Sequence, residues 1–424
     1  MRSLLFFIVA SFFISCSPVS KRNLAKRFQK TEEKFQDFTG FALYDPASRK
    51  MLFEHHSAHY FTPASNTKIF TFFASLRLLG DSVPALRYVE SGDSLIFWGT
   101  ADPSFLYKHV YQNNKTFSFL KSTDKKLYLS TSNFSTTNFG SGWAWDDYND
   151  AYSAERSPLP IYGNIFSVNS TPQKIDIQPP LFKGFFTPAD RRQRGVIRKL
   201  ESNDYTFSQS GKMKTDVPMK VDPHLTIQLL TDTLKKEVIL ITRQTVKGSR
   251  TLFSVPVDSL YRVMMEDSDN FIAEQLLLAC AGVISDTLQP EIAIRYVKRN
   301  FLADLADEPS WVDGSGLSRY NLFTPRSIVQ LWEKIYQLVP EQRLFAMLAT
   351  GGKSGTIRNW YKADKPYVFG KTGSLSNNHS LSGYLVTRKG RRLIFSYMNN
   401  NFTVSSTEVR KEMQTILNLI YEKY

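Results

Sequence analysis

The sequence predicts an α+β protein in which a β-rich segment interrupts a core of antiparallel strands and helices. Three observations support this class: a strand pair with helices near the start, many short β-like runs in the middle, and three strand-like runs with a helix at the end. The chain has 424 residues, of which 42% are hydrophobic and 22% charged. This length exceeds one ordinary domain, and this composition excludes disorder over most of the chain.

The elements that open the fold are a helix, a hairpin and a second helix. Residues 21–38 have the charged, amphipathic pattern of a helix. Residues 39–56 predict a hairpin, because two apolar runs flank a turn at residues 45–48. The second helix should begin near Ser65 and end at Gly80, because glycine commonly terminates helices.

Residues 89–251 predict an inserted domain, since short β-like runs alternate there with Gly, Pro, Asn and Asp. One helical run, about residues 225–236, lies inside it. Helical patterns then return, and three strand-like runs precede a final helix over about residues 407–424. Because the early strands can join the late ones, we expect residues 21–88 and 252–424 to form one antiparallel sheet with helices on both faces.

Residues 1–20 predict a signal peptide and tether rather than part of the fold. The apolar run at residues 4–14 follows Arg2 and is too short to span a bilayer, which needs about 20 residues. Residues 13–16 resemble a lipobox in which Cys16 becomes lipidated. We therefore expect an exported, periplasmic protein anchored to a membrane through Cys16, with simple secretion and an uncleaved anchor as alternatives.

Charge and cysteine usage narrow the functional classes. A formal net charge of +14 suits a polyanion such as nucleic acid, anionic lipid or an acidic wall polymer, or simply aids solubility. The export signal argues against nucleic acid, and the sequence has no arginine-rich tract or aromatic RNA-binding signature. Cys280 lies in an apolar run, so we expect a small buried residue rather than a catalytic thiol.

Three short motifs carry the candidate chemistry. Ser65 and Lys68 form an S-x-x-K motif, Ser268 and Asn270 form an S-x-N motif, and Lys371 begins a K-T-G motif. Each motif is weak alone, and the first two recur elsewhere in the chain. Their order, with contexts at a helix start, between two helices and at the end of a strand, is typical of penicillin-binding proteins and class A β-lactamases.

These side chains suit an activated serine. Ser65 at a helix N-terminus meets the positive end of the helix dipole, and Lys68 lies three residues later on the same face. An amine activates serine only when it is neutral, and burial close to Lys371 would lower the pKa of Lys68. Ser268 can pass a proton to the leaving amine, and Asn270 can bind the substrate backbone.

Lys371, Thr372 and Ser374 suit the C-terminal end of a peptide substrate such as D-Ala-D-Ala. Lys371 and Thr372 fit its terminal carboxylate, and the backbone N–H groups of Ser65 and Ser374 fit an oxyanion hole. The competing interpretation is a helix-capping serine with solvated lysines. The order of the three motifs argues against it.

With these residues placed, the chain resembles the large penicillin-binding DD-peptidases of the type 4 carboxypeptidase/endopeptidase family, peptidase family S13. The resemblance covers about residues 38–424, and the long gap between Ser65 and Ser268 fits the inserted domain of this family better than a compact β-lactamase. The segments that match family motifs are residues 62–68, 99–103, 142–147, 313–325 and 355–358.

The resemblance implies a DD-peptidase/β-lactamase-like core and hydrolysis of peptidoglycan stem peptides through an acyl-enzyme on Ser65. It implies β-lactams as inhibitors at the same serine, and no metal or organic cofactor. It places an acidic residue against the free amine of the stem peptide; we assign Asp147, with Asp146 as the competing choice. Relatives often carry a third domain in the insertion, and residues 170–220 leave room only for a reduced one.

Other interpretations fit parts of the sequence. A β-lactamase or esterase on the same core would turn over nitrocefin without releasing D-Ala, and a non-catalytic wall or antibiotic binder usually lacks a catalytic residue. His55, His56 and His59 fall in a loop-like stretch without cysteine, so we expect no zinc site there. His379 follows K-T-G without a recognisable orienting acid, which favours a place at the cleft edge over a Ser-His-Asp triad.

Overall fold

The computed structural model describes residues 21–110, 114–189, 193, 195–208 and 211–424. The predicted signal peptide and Cys16 lie outside these described residues. Within them, every helix is too short or too polar to cross a bilayer.

The N-terminal part contains the predicted helix, hairpin and second helix. Their bounds are α1 (Lys21–Phe35), β1 (Phe38–Asp45), β2 (Lys50–His55) and α2 (Lys68–Leu78). The second helix begins later than predicted, because Ala64–Thr67 form a 3₁₀ turn before it. Ala64 has a φ of +48°, in the left-handed region that non-glycine residues seldom occupy. Ser65 therefore lies in a tight turn that leads into α2 rather than in the first turn of an α-helix.

The described residues in the middle of the chain build three small sheets and two α-helices. A five-stranded sheet has the order β12-β5-β4-β3-β13, and two three-stranded sheets have the orders β11-β6-β7 and β8-β10-β9. The bounds are β3 (Ser82–Ser91), β4 (Ser94–Gly99), α3 (Lys115–Ser122), β5 (Lys126–Ser130), β6 (Ile165–Ser170), β7 (Ile175–Gln178), β8 (Phe186–Pro188), β9 (Val196–Arg198), β10 (Tyr205–Phe207), β11 (Met213–Pro218), α4 (Pro223–Leu234), β12 (Val238–Leu240) and β13 (Arg250–Pro256).

This middle region has its own hydrophobic cluster, in which Phe166 and Tyr205 pack edge to face with ring centroids 4.8 Å apart. The strands β3 and β13 pair with each other across the predicted limits of the insertion. The division into domains, including a reduced third domain, stays a prediction.

The C-terminal part supplies most of the helices and four further strands. Their bounds are α5 (Val257–Glu266), α6 (Asn270–Ser285), α7 (Pro290–Phe301), α8 (Pro325–Leu338), α9 (Glu341–Ala346), β14 (Ala349–Thr350), β15 (Val368–Leu375), β16 (Asn378–Val386), β17 (Arg392–Asn400) and α10 (Ser406–Lys423). The strand that carries K-T-G extends beyond the motif to Leu375, so Lys371 lies within the strand rather than at its end.

The first and last strands join in one six-stranded antiparallel sheet of order β14-β15-β16-β17-β1-β2. Successive residues of a strand point to opposite faces, so Ala42 packs on one side with α2, α6 and α8. Phe41 and Leu43 pack on the other side with α1 and α10. The predicted α+β core, a sheet with helices on both faces, is confirmed.

Candidate active site

The three motifs meet in one cleft although they are far apart in the sequence. Ser65 lies in the turn before α2, Ser268 lies between α5 and α6, and Lys371 lies on β15. Ser65, Ser268 and Ser374 line both of the two adjoining cavities that make up this cleft. The structure therefore brings together the side chains that the sequence singled out.

Lys68 joins the first two motifs. Its side chain is fully buried, and Nζ donates to Ser65 Oγ at 2.9 Å, to Asn270 Oδ1 at 2.6 Å and to the Ser315 carbonyl at 2.7 Å. These three bonds use every donor of an ammonium group. The amine is thus held against the Ser65 hydroxyl with no freedom to turn away.

The electrostatics of Lys68 differ from the sequence expectation. Burial lowers the pKa of Lys68 to about 8, and the carboxylates of Asp313, Asp269 and Glu274 oppose this shift. The expected repulsion between the two lysines is present, and it lowers the pKa of Lys371 as well. The acids around Lys68 are the difference from the sequence expectation, because the linear sequence did not place them there.

Lys371 joins the second and third motifs. Its side chain is fully buried, and Nζ donates to Ser268 Oγ and to the Thr372 carbonyl, both at 2.7 Å. Burial, assisted by the charge of Lys68, holds the pKa of Lys371 well below its ordinary range. Ser268 has a φ of +66°, and such strain in a non-glycine residue is frequent at functional sites.

Close packing of β15 on the turn before α2 fixes the distance between the motifs. A Cβ atom on Gly373 would lie 2.4 Å from the Pro63 carbonyl oxygen and 2.9 Å from the Ser65 nitrogen, so only glycine fits. Asn66 Nδ2 donates to the Lys371 carbonyl at 3.0 Å, and Asn66 Oδ1 accepts from Ser382 Oγ at 2.6 Å. The glycine of K-T-G is therefore what lets the strand approach the serine.

One cavity, which we call the strand-side cavity, extends from Ser65 along β15 toward α10. Thr372 Oγ1 donates to Thr356 Oγ1 at 2.7 Å, and His379 Nδ1 lies 2.8 Å from Ser374 Oγ. Burial lowers the pKa of His379 to about 3, so its imidazole is neutral at physiological pH. It lines the cleft, as the sequence predicted, and has no charge to contribute.

Arg410 is a residue of the strand-side cavity that the sequence did not reveal. It lies on α10, and its Nε atom is buried and makes no hydrogen bond to the described residues. A buried cationic donor that lacks a partner is costly unless an anion completes it. Arg410 belongs to no motif. It is one of several charged residues on an amphipathic helix, so the sequence did not distinguish it from a surface residue.

The other cavity, which we call the insertion-side cavity, lies against residues of the middle region. Asp146 and Asp147 line it together with Arg319. Asp147 Oδ1 accepts from the Tyr152 hydroxyl at 2.7 Å, and Asn270 Nδ2 donates to the Tyr152 carbonyl at 2.9 Å. Asp147 is half-buried and Asp146 is exposed. Both predicted candidates therefore face the same cavity, and Asp147 is the one held in place.

The segment at residues 313–318 positions the carbonyl that holds Lys68. Asp313 accepts from the backbone N–H groups of Gly316 at 2.8 Å and Ser318 at 2.7 Å. Glu274 Oε1 accepts from the Ser315 N–H at 2.7 Å, and burial raises the pKa of Glu274 to about 7. The sequence identified this segment as a family motif but gave no role to Glu274, which lies inside an apolar helix.

Comparison with protein families and known proteins agrees with this geometry. The model of the family described as D-Ala-D-Ala carboxypeptidase 3 (S13) matches residues 20–184 and 210–423. Penicillin-sensitive carboxypeptidase A of Dictyostelium discoideum is 24% identical, over 87% of this chain and 83% of its own length. D-alanyl-D-alanine carboxypeptidase DacB of Haemophilus influenzae is 23% identical, over 91% of both chains.

Solved structures show the same fold. The crystal structure of penicillin-binding protein 4 from Haemophilus influenzae has a TM-score of 0.77 at 20% identity, covering 94% of this chain and 99% of that one. A predatory peptidoglycan endopeptidase from Bdellovibrio bacteriovorus has a TM-score of 0.53 at 14% identity, covering 90% of this chain and 93% of its own. With the matched residues spanning most of the sequence, this chain belongs to the D-Ala-D-Ala carboxypeptidase 3 (S13) family.

Proposed function

We propose that this protein is a serine D-alanyl-D-alanine carboxypeptidase and DD-endopeptidase that cleaves peptidoglycan stem peptides through an acyl-enzyme on Ser65. The observation that carries this assignment is the 2.9 Å contact between Lys68 Nζ and Ser65 Oγ. It lies in the cleft where Lys371 holds the second serine, Ser268. β-Lactams, which resemble an acylating peptide, acylate the same serine; a relative from Haemophilus influenzae has been solved with one.

Acylation uses the groups on both sides of the cleft. Ser65 Oγ attacks the carbonyl carbon of the penultimate D-Ala, and neutral Lys68 accepts the hydroxyl proton. The N–H groups of Ser65 and Ser374 stabilise the oxyanion. When the C–N bond breaks, Ser268 delivers a proton to the departing amine, and Lys371 re-supplies that hydroxyl through their 2.7 Å hydrogen bond.

Deacylation returns the serine. Before this step Lys68 releases the serine proton and Lys371 regains the one that it gave up, so Lys68 is again neutral. Water then attacks the ester carbonyl, Lys68 accepts its proton, and Lys68 passes that proton to Ser65 Oγ as the C–O bond breaks. The same steps describe carboxypeptidase and endopeptidase action, because only the leaving amine differs. In the first case it belongs to free D-Ala, and in the second to the side chain of a cross-linked strand.

Binding of the substrate carboxylate sets the charges of the two amines. In the free protein, burial and the neighbouring charge of Lys68 disfavour an ammonium group on Lys371. A carboxylate beside Thr372 and Arg410 raises the pKa of Lys371, because opposite charges stabilise each other. The resulting positive charge on Lys371 favours neutral Lys68, which is the form that accepts the serine proton. Substrate binding thus prepares the base.

The two cavities suit the two ends of the substrate. The strand-side cavity, of about 470 Å³, takes the small leaving D-Ala, and its Arg410 and Thr372 bind the carboxylate. The insertion-side cavity, of about 710 Å³, takes the longer stem peptide. There Asp147, held by the Tyr152 hydroxyl, binds the free amine of the diamino acid.

The cellular location follows from residues 1–20. Their charged start, apolar run and lipobox-like end support export to the periplasm and anchoring to a membrane through lipidated Cys16. Metabolic labelling with palmitate should mark the wild type and not Cys16→Ala. Equal labelling of that variant would remove the anchor from the proposal.

The test of the enzymatic assignment is Ser65→Ala. This variant should lose labelling by fluorescent penicillin and release of D-Ala from a stem pentapeptide, with an unchanged circular dichroism spectrum. Ser118→Ala is the matched control, because Ser118 begins another S-x-x-K sequence but is exposed on α3. Labelling that persists in Ser65→Ala would assign the nucleophile elsewhere. Fast nitrocefin turnover without D-Ala release would favour a β-lactamase.

A further inference from the structure

Two histidines and a glutamate meet at the β2 edge of the six-stranded sheet. Glu32 lies on α1, His55 is the last residue of β2, and His56 follows it. The strands β16, β17 and β1 separate β2 from β15, which carries the K-T-G motif. The cluster is therefore not part of the cleft, and the proposed reaction makes no use of it.

The ligand atoms of the cluster have the spacing of a coordination shell. His55 Nε2 lies 3.1 Å from Glu32 Oε2, and His56 Nε2 lies 3.6 Å from Glu32 Oε1. The three ligand atoms all lie within 4.8 Å of one another. Four-coordinate zinc with bonds of about 2.0–2.1 Å separates its ligand atoms by roughly 3.3 Å. Both nitrogen–oxygen distances are close to that value.

The His55 nitrogen and the Glu32 carboxylate form a close ion-pair contact that is poorly aligned for a hydrogen bond. His55 Nε2 is buried and has no hydrogen bond of acceptable geometry, despite the oxygen 3.1 Å away. This is expected where two groups point to a common third position. Such a buried donor or acceptor without a partner needs an explanation, and a bound ion is one.

Neighbouring groups fix the orientation of two of the three side chains. Glu32 Oε1 accepts from the Thr39 backbone N–H at 3.0 Å. The His55 ring stacks on Phe28 with a centroid separation of 5.1 Å. Supporting contacts of this kind orient metal-binding side chains and are part of functional metal sites. The His56 side chain remains 45% exposed, which leaves a path for an ion from solvent.

We propose that Glu32, His55 and His56 bind a zinc ion through the Glu32 carboxylate and two Nε2 atoms, with water as the remaining ligand. Two imidazoles and a carboxylate are a donor set that zinc favours over magnesium or calcium, which prefer oxygen ligands. The ion fastens α1 to β2. His59 stacks on His56 with centroids 5.1 Å apart but is not one of the three clustered residues.

The sequence did not predict this site because it showed only the histidines. Glu32 comes from α1, more than twenty positions earlier, and folding brings it between His55 and His56. Because α1 directly follows the predicted membrane tether, the ion would join α1 to the sheet close to the point where the tether is attached.

The test uses the full-length protein, stripped of metal and dialysed against micromolar ZnCl₂. We expect one zinc per chain by elemental analysis, a higher Tm with zinc than with chelator, and an intense tetrahedral visible spectrum with Co²⁺. His55→Ala and His56→Ala should weaken zinc binding at least tenfold. The controls are His59→Ala and His109→Ala, which should bind zinc as the wild type does.

Penicillin labelling is an independent measure of folding, because the zinc site takes no part in the reaction at Ser65. The labelling should be unchanged in all four variants. If an alanine variant does not fold, Glu32→Gln keeps the side-chain shape and should also weaken zinc binding at least tenfold. The proposal is overturned if the wild type holds no zinc, if Co²⁺ gives only the weak octahedral spectrum, or if the variants with intact labelling bind zinc as tightly as the wild type.

Discussion

The two cavities that meet at Ser65 differ in charge. The strand-side cavity contains Arg410, and no carboxylate is present among its described lining residues. The insertion-side cavity contains Asp146 and Asp147 together with Arg319. A stem peptide ending in D-Ala-D-Ala has a carboxylate on one side of the scissile bond and a free amine farther along the other. Under the proposed function, the difference between the cavities would orient the substrate before any chemistry occurs.

The same contrast separates the two buried amines. Lys68 has Asp269, Glu274 and Asp313 around it, which oppose the effect of burial, and its pKa stays at about 8. No carboxylate hydrogen-bonds to Lys371 in the described part of the chain, and burial holds its pKa well below the ordinary range. Two lysines of similar burial thus differ in pKa because their neighbours differ, and the proposed function gives them different tasks. The following experiments test this division.

The largest effect is expected on removal of the proposed base. Lys68→Ala should slow acylation by fluorescent penicillin about a thousandfold, since general-base catalysis contributes roughly 10²–10⁴. Lys371→Ala should also weaken the binding of a peptide that ends in a carboxylate. Lys68→Ala should leave that binding unchanged. Stopped-flow acylation and peptide binding measure the two effects, with thermal unfolding as the control for folding. Full acylation in Lys68→Ala would end the distinction between the amines.

Arg410→Ala tests the strand-side cavity. Loss of a charge-assisted hydrogen bond costs about 1.5–3 kcal/mol, so kcat/KM for a D-Ala-D-Ala peptide should fall about tenfold to a hundredfold. The same peptide ending in an amide should be cleaved as by the wild type. Arg388→Ala, which removes a surface ion pair with Glu422, is the matched control. An equal loss on acid and amide would show that Arg410 does not bind the carboxylate.

Asp147→Ala tests the insertion-side cavity. We expect kcat/KM to fall about fivefold to tenfold for stem peptides with a free diamino-acid amine, because a half-buried charge pair is partly screened by solvent. Peptides whose amine is acetylated should be unaffected. The exposed neighbour Asp146 provides the comparison, and Asp146→Ala should have the smaller effect. If Asp146→Ala is the more damaging variant, the assignment moves to Asp146.

The smallest effect concerns pH. Because neutral Lys68 is the reactive form and its pKa is about 8, the acylation rate should rise with pH and level off above 8. The charge of Asp269 raises the pKa of Lys68, so Asp269→Asn should move the midpoint down by about half a pH unit and accelerate acylation about threefold at pH 7.

Asp267→Asn is the control for the pH experiment, since Asp267 raises the pKa of Lys371 and is not among the carboxylates that raise the pKa of Lys68 most. It should move the midpoint of the acylation profile less than Asp269→Asn does. A midpoint that moves upward in Asp269→Asn would contradict the electrostatic account of Lys68.

Much of the fold was predictable from local patterns. The hairpin of β1 and β2 and the three late strands could be predicted because they are short apolar runs bounded by turn residues, as expected for a sheet buried on both faces. The final helix could be predicted because only one of its faces is buried. The late start of α2 was not predictable. It depends on Ala64 in a left-handed conformation, held by packing on other segments, and no local preference of alanine indicates it.

The sequence by itself identified the candidate reactive groups, because the three motifs have fixed internal spacing and a fixed order. These groups are Ser65, Lys68, Ser268, Asn270 and Lys371. The tertiary structure decided what surrounds them. It placed acids near Lys68, brought Arg410 into the cavity that Ser65 lines and brought Glu32 to His55, and each of these contacts joins segments that are distant in the sequence. Electrostatic energies depend on distance and burial in space, and neither can be read from positions along the chain.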